Sequence, residues 1–135
     1  MKSLIVEDDF AARRLMQIYL APHGECSVAI NGIEALNAIR EGMKDSEPYD
    51  LICLDIMMPH MDGMETLEKI REIEAENGIN GLDRTKVIMT TAKSQSKDIF
   101  GAFKTGCEGY LIKPIKKIDL VKQIEKMGLS LERTA

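Results

Sequence analysis

Leu51-Ile-Cys-Leu-Asp55-Ile-Met-Met-Pro59-His-Met-Asp62-Gly63 is an apolar run with one carboxylate at its end, followed by a stop and a turn. Leu, Ile, Cys and Leu with no polar alternation read as a strand buried on both faces, the pattern of a central strand in a parallel sheet. Met-Met-Pro59 stops the strand and Asp62-Gly63 turns the chain. Asp55 therefore stands where the strand leaves the core. Ligand sites of open α/β sheets collect at the carboxyl ends of strands. Aspartate also starts turns at strand ends, so Asp55 alone does not separate a site from a cap.

Working outward, strands and helices alternate. Residues 2–6 form a short apolar strand that ends in Glu7, Asp8 and Asp9. Residues 10–21 place Phe10, Leu15, Met16, Tyr19 and Leu20 at three- and four-residue spacing, a helix with one buried stripe. Pro22 and Gly24 end it. A second strand covers 26–30. Asn31-Gly32 caps a helix through Ile33, Ala35, Leu36 and Ile39, and 42–48 is a polar connection. The third strand is 49–55. After Asp62-Gly63 a helix turns Met64, Leu67, Ile70 and Ile73 inward and Glu65, Glu68, Lys69 and Glu72 outward. Residues 77–84, broken by two Asn/Gly pairs, read as a mobile surface excursion. A fourth strand (86–91), a helix (96–105, with Ile99, Phe100 and Phe103, closed by Gly106), a fifth strand (109–112) and a helix (118–127) complete the series. Five βα units imply right-handed crossovers and a parallel sheet covered on both faces. Too few helices exist to close an eightfold barrel. The expected fold is a three-layer, doubly wound α/β domain with strand order 2-1-3-4-5. That order sets strands one and three side by side and brings the acids after strand one next to Asp55.

At 135 residues the chain is long enough for one domain with a real core. A net charge of −4 gives no basic footprint for nucleic acid or anionic membrane. There is no run of about 18 apolar residues and no charged-then-apolar leader, so a cytoplasmic location is expected. Cys26, Cys53 and Cys107 are odd in number and far apart, and read as reduced packing residues.

Carboxylates from the Glu7-Asp8-Asp9 run meeting Asp55 at one sheet edge would repel one another unless a cation sat among them. Oxygen ligands with open coordination suit Mg²⁺, which keeps waters and accompanies phosphate. A solvated acidic loop capping the first helix would show the same residues. Thr91 and Lys113 separate the two readings. Each ends a strand at the same edge, one with a hydroxyl and one with an ammonium. A metal and a lysine would neutralise the oxygens of a phosphoryl group, and a hydroxyl would donate to it. Asp55 can then act as nucleophile and form an acyl phosphate. Lys113 precedes Pro114, which holds it extended and permits a cis peptide bond.

These residues carry a resemblance. Leu-Ile-Val-Glu7-Asp8-Asp9, Leu-Asp55-Ile-Met-Met-Pro59-x-Met-Asp62-Gly63, Thr91-Ala92 and Gly109-Tyr110-Leu-Ile-Lys113-Pro114 together resemble a receiver domain of the two-component response-regulator family, over about residues 2–128. The resemblance implies phosphorylation of Asp55 by a histidine kinase or a small phosphodonor. It implies Mg²⁺ held by Glu7, Asp8, Asp55 and the backbone carbonyl of Met57, with Asp9 as an accessory acid. Thr91 and Lys113 would contact the phosphoryl group. Tyr110 falls at the family's aromatic switch position and would turn inward as Thr91 is drawn to the phosphoryl group, a population shift of a two-state element. The fourth helix, fifth strand and fifth helix would form the output face. Lys104, Lys116, Lys117, Lys122 and Lys126 make that region basic, which fits an acidic protein partner. Met57 and Lys93 sit at positions that tune phosphoryl lifetime, and His60 reads as a solvated loop histidine.

The expected architecture is a receiver domain over 1–129 with a flexible tail at 130–135. The residues after 128 are too few for a DNA-reading module. The expectation is thus a stand-alone response regulator, monomeric or weakly dimeric, acting by protein contact in a chemotaxis-type pathway or as a phosphorelay intermediate. It would be a switch rather than an enzyme. A phosphatase of the haloacid dehalogenase type also uses an Asp nucleophile with Mg²⁺, but it wants a second Asp two residues on, where this chain has Met57.

Overall fold

The computed structural model describes residues 1–92 and 99–131. Its order is β1 (Ser3–Val6), α1 (Phe10–Leu20), β2 (Cys26–Ala29), α2 (Gly32–Lys44), β3 (Leu51–Asp55), α3 (Gly63–Glu76), β4 (Lys86–Thr91), α4 (Ile99–Thr105), β5 (Gly109–Ile112) and α5 (Lys117–Lys126). All neighbouring strands are parallel, in the order β2-β1-β3-β4-β5. The fold class and strand order are those expected. Lys93, residues 96–98 of the fourth expected helix and 132–135 of the expected tail lie outside the described residues.

The sheet separates two cores. Leu4, Val6, Ile52, Leu54, Val87 and Met89 pack under α2, α3 and α4, against Leu36, Ile39, Leu67 and Ile70. Ile5, Leu51, Cys53, Ile88 and Leu111 face Met16, Leu20, Leu120 and Ile124 of α1 and α5. Every residue of β3 is buried, as its unbroken apolar run requires. Three helices start from side-chain caps read from the sequence or close to it. Asp9, Asn31 and Asp62 accept from the amides of Ala12, Glu34 and Glu65, each at 2.8 Å.

Several boundaries and faces differ from expectation. Helix α2 runs to Lys44, through Gly42, because Met43 continues the Ile39 stripe one turn further. Strand β3 begins at Leu51, two residues late, and β2 ends at Ala29. Phe10 is 71% exposed rather than part of the buried stripe of α1. It is the first residue of the helix, beyond the sheet edge, and the Arg13 guanidinium lies 5.6 Å from its ring centroid. Leu15 is likewise only partly covered, and the stripe consists of Met16 and Leu20. In α4, Ile99 and Ala102 face inward, so Phe100, one residue on, points out at 87% exposed. In α5, Leu120 and Ile124 carry the stripe and Ile118 is exposed.

A second charged cluster lies at the opposite sheet edge, where β4 and β5 begin. The Arg71 guanidinium donates to Glu74 Oε1 at 2.6 Å, Thr85 O at 2.9 Å and Gly106 O at 3.0 Å, and meets Glu108 at 3.0 Å. Glu74 in turn accepts from the Thr85 amide, and Glu108 from the Val87 amide, both at 2.7 Å. Arg84 adds a second cation 3.6 Å from Glu108. This network ties α3 to the α4–β5 turn and to the start of β4.

The three cysteines are free. Burial pushes the Cys53 thiol up to about 12 and the Cys107 thiol to about 11, and raises that of half-buried Cys26. A thiol-specific disulfide reagent at pH 8 is therefore expected to titrate at most Cys26 in the native protein and all three thiols in denaturant. Rapid native labelling of Cys53 would contradict the packing. Because the folded-state values lie above the ordinary thiol value, these groups stabilise the fold fully below about pH 9. That contribution is lost as pH rises toward 12.

Candidate functional site

The carboxyl edge of the sheet gathers the charged residues. The Glu7 amide continues the β1–β2 ladder to Ala29 O at 3.0 Å, so the chain is still held as it passes over the edge. Arg13, which the helical pattern places off the buried stripe, donates to the carbonyls of Glu7 at 3.0 Å and Asp8 at 3.4 Å. Glu7 is thereby buried while Asp8 is exposed. Strand β3 delivers Asp55, also buried. The Ile56 amide donates to Thr90 O at 3.0 Å and the Gly63 amide returns to Ile56 O at 2.7 Å, closing the loop between strand and helix. Gly63 is needed there, since a Cβ would lie 2.2 Å from Asp55 O and 2.7 Å from Ile56 Cα. Lys113 arrives from β5, its amide donating to Thr91 O at 2.7 Å, and its bond to Pro114 is cis.

The Lys113 ammonium lies 2.5 Å from Glu7 Oε1 and 3.2 Å from Asp55 Oδ2. Oxygens of Glu7, Asp8 and Asp55 lie within 4.8 Å of one another. Burial raises the Glu7 pKa above the usual carboxylate value; Lys113 opposes the rise and Asp55 adds to it. Burial works against the Lys113 ammonium, but the two carboxylates outweigh it and raise its pKa. A largely apolar cavity of about 420 Å³ opens beside the pair, lined by Ile5, Ala12, Met16 and Cys53 among others. Among the described residues, Lys113 pairs with Glu7 and Asp55, and the exposed Asp8 has no ion-pair partner. Hard oxygen donors short of positive charge fit a small divalent ion such as Mg²⁺, and Glu7, Asp8 and Asp55 are the side chains that would hold it. Asp9 is placed otherwise, since its carboxylate is spent on the Ala12 amide as the α1 cap.

The remaining expected residues divide. The Met57 amide donates to Asp55 Oδ1 at 3.3 Å, and the Met57 side chain is exposed. His60 is exposed, in a left-handed conformation at φ 70°. Thr91 is buried, and its hydroxyl donates to Ala92 O at 3.0 Å rather than to a carboxylate. The register sets Thr90, not Thr91, opposite Asp55, so Thr90 shares that sheet face and lines the cavity. Sequence reasoning passed over Thr90 and Arg13. The Thr90-Thr91 pair and the period-two alternation were the signal for the first. Tyr110 lies on the Thr91 face, partly exposed. Lys116, Lys122 and Lys126 share a groove with it, and Lys104 and Lys117 are exposed on α4 and α5.

A doubly wound sheet with an acidic cluster, a bridging lysine and a tight Asp-Gly turn at its switch point has the layout of a divalent-cation site in an open α/β fold. The chain belongs to the response regulator receiver domain family, whose model matches residues 3–125. It is 36% identical over 125 residues to a probable transcriptional regulator, ycf29, of Porphyra purpurea, which covers 92% of this chain and 54% of that protein. Among solved structures, it matches the Saccharomyces cerevisiae co-crystal of the histidine phosphotransfer protein Ypd1 with the receiver domain of its downstream response regulator Ssk1. That match has TM-score 0.80 and 30% identity over 95% of this chain and 88% of the other. It also matches the receiver domain of the Arabidopsis thaliana histidine kinase CKI1 complexed with Mg²⁺ and BeF₃⁻, with TM-score 0.78 and 26% identity over 93% and 89%. The chain spans about half the length, or much less, of the curated relatives it matches. Receiver domains act as signalling switches in two-component systems. No helix among the described residues is long and apolar enough to cross a membrane.

Proposed function

We propose that Asp55 is the phosphoacceptor of this receiver. A carboxylate oxygen of Asp55 attacks the phosphorus of a phosphohistidine on a histidine kinase or a phosphotransfer protein, or of a small acyl phosphate. The P–O bond to Asp55 forms as the donor's P–N or P–O bond breaks, and the donor takes back the electron pair. Lys113 stays beside the transferred oxygens and Glu7 holds it there. Mg²⁺, bound by Glu7, Asp8, Asp55 and the Met57 carbonyl, would neutralise the same oxygens. Thr91 then donates to the phosphoryl group in place of Ala92 O, and Tyr110 follows it inward. The changed α4–β5–α5 face, with its exposed lysines, is read by an acidic protein partner.

The observation that carries this reading is the Lys113 ammonium bridging buried Glu7 and Asp55 at the edge where β1 and β3 adjoin. Acetyl phosphate with Mg²⁺, followed by intact mass, tests it. A stable gain of one phosphate supports the receiver, whereas continuous phosphate release supports a phosphatase. A phosphorelay position is the second reading, favoured by the likeness to the Ssk1 receiver. The acyl phosphate itself is expected to decay slowly. Met57, two residues after Asp55, offers no polar group to orient a water for attack. A lifetime of seconds in purified protein would refute this.

A further inference from the structure

Tyr110 does not stand alone at the rim of β5. Its ring meets Phe103 of α4 edge to face, with centroids 5.9 Å apart and planes at 85°. Phe103 is 44% exposed and belongs to neither core cluster. The inward positions of α4 are Ile99 and Ala102, so Phe103 is not needed to bury the helix. The aromatic partner it has among the described residues is Tyr110.

The register shows which way Tyr110 would move. Met89 pairs with Tyr110 and Thr91 with Ile112, so Thr91 lies on the same sheet face, two residues nearer the carboxyl edge. Helix α4 runs back from that edge, as a crossover helix must. Phe103 therefore sits about 6 Å further from the edge than Ile99, at 1.5 Å per residue. A ring that moved toward the carboxyl edge to pack beside Thr91 would move away from Phe103 and loosen their contact.

We propose that Phe103 is a latch for Tyr110, a positioning residue whose edge-to-face contact holds the ring at the rim until phosphorylation draws it inward. This rests on the reading of Tyr110 as the switch. The contact stabilises the resting arrangement alone, so by linkage it lowers the affinity of the Asp55 site for a phosphoryl group or its analogue.

Beryllofluoride with Mg²⁺ is the probe. Its affinity is measured for the unaltered chain, for Phe103→Leu, which keeps apolar bulk, and for Phe103→Ala. The Tyr110 ring is followed by NMR of tyrosine-labelled protein. Both variants are expected to bind beryllofluoride about two- to tenfold more tightly, the range an aromatic pair is worth. Their unliganded Tyr110 signals are expected part-way toward the bound position. In a Tyr110→Ala background, Phe103→Leu is expected to change the affinity no further. Unchanged or weakened binding in both variants, with Tyr110 still moving in the unaltered chain, would overturn the latch and leave the switch standing. A Tyr110 signal that stays put at beryllofluoride saturation in the unaltered chain would overturn the switch and the latch together.

Discussion

Asp55→Asn protein incubated with acetyl phosphate and Mg²⁺ is expected to show no gain of phosphate by intact mass, while the unaltered chain gains one. The loss should be complete rather than partial. An amide is a poor nucleophile, and the other two acids are differently placed: Glu7 is tied to Lys113 and Asp8 faces solvent. The substitution should not unfold the protein. An amide oxygen at position 55 still accepts from the Met57 amide, and removal of one charge relieves the repulsion with Glu7. A thermal midpoint equal to or above that of the unaltered chain is the second half of the expectation. Phosphate on Asp55→Asn at the stoichiometry of the unaltered chain would mean that another residue is the acceptor. A collapse in stability would mean that the carboxylate holds the fold.

Arg71→Met is expected to act in the opposite sense, with a large loss of stability. Arg71 and Glu74 have side chains only 10% and 1% exposed. Methionine fills much of the arginine stem but leaves Glu74 and Glu108 without their shared cation, and leaves the carbonyls of Thr85 and Gly106 without a donor. Removing one partner of a buried ion pair costs about 3–5 kcal/mol. Urea unfolding should show a loss of that size in the unfolding free energy extrapolated to water. A shift under about 1 kcal/mol, the typical worth of an exposed pair, would show that Arg84 or water takes over.

Much of the fold could be read from the chain because parallel strands announce themselves. Leu51–Leu54 and Val87–Met89 are continuous apolar runs, and β4 and β5 fall on the expected residues. The site could be read in part for a related reason. Topology alone places Glu7, Asp55 and Lys113 at one edge once five βα units are counted. Faces within helices were harder. Phe10 and Phe100 are apolar and correctly spaced, yet they sit where nothing covers them, and periodicity cannot tell a covered turn from an overhanging one. The Arg71 network was hidden because its members come from α3, the strand starts and the α4–β5 turn. One clue was present. Glu74 falls four residues after Ile70, on the inward stripe, where a carboxylate needs a partner. Thr91 was placed on its strand correctly, but which of two adjacent threonines shares the Asp55 face is a question of register that the sequence leaves open.

The two charged clusters divide the labour of the molecule. At the start of β4 and β5, two guanidinium groups stand against two carboxylates, and the tally is even. At the opposite edge, among the described residues, the Lys113 ammonium pairs with Glu7 and Asp55 while Asp8 has no ion-pair partner. Like a hull ballasted well below the waterline, the domain carries its steadying weight far from the deck where loads come and go. If Asp55 takes up phosphate as proposed, a rearrangement of the upper edge would leave the lower anchor in place.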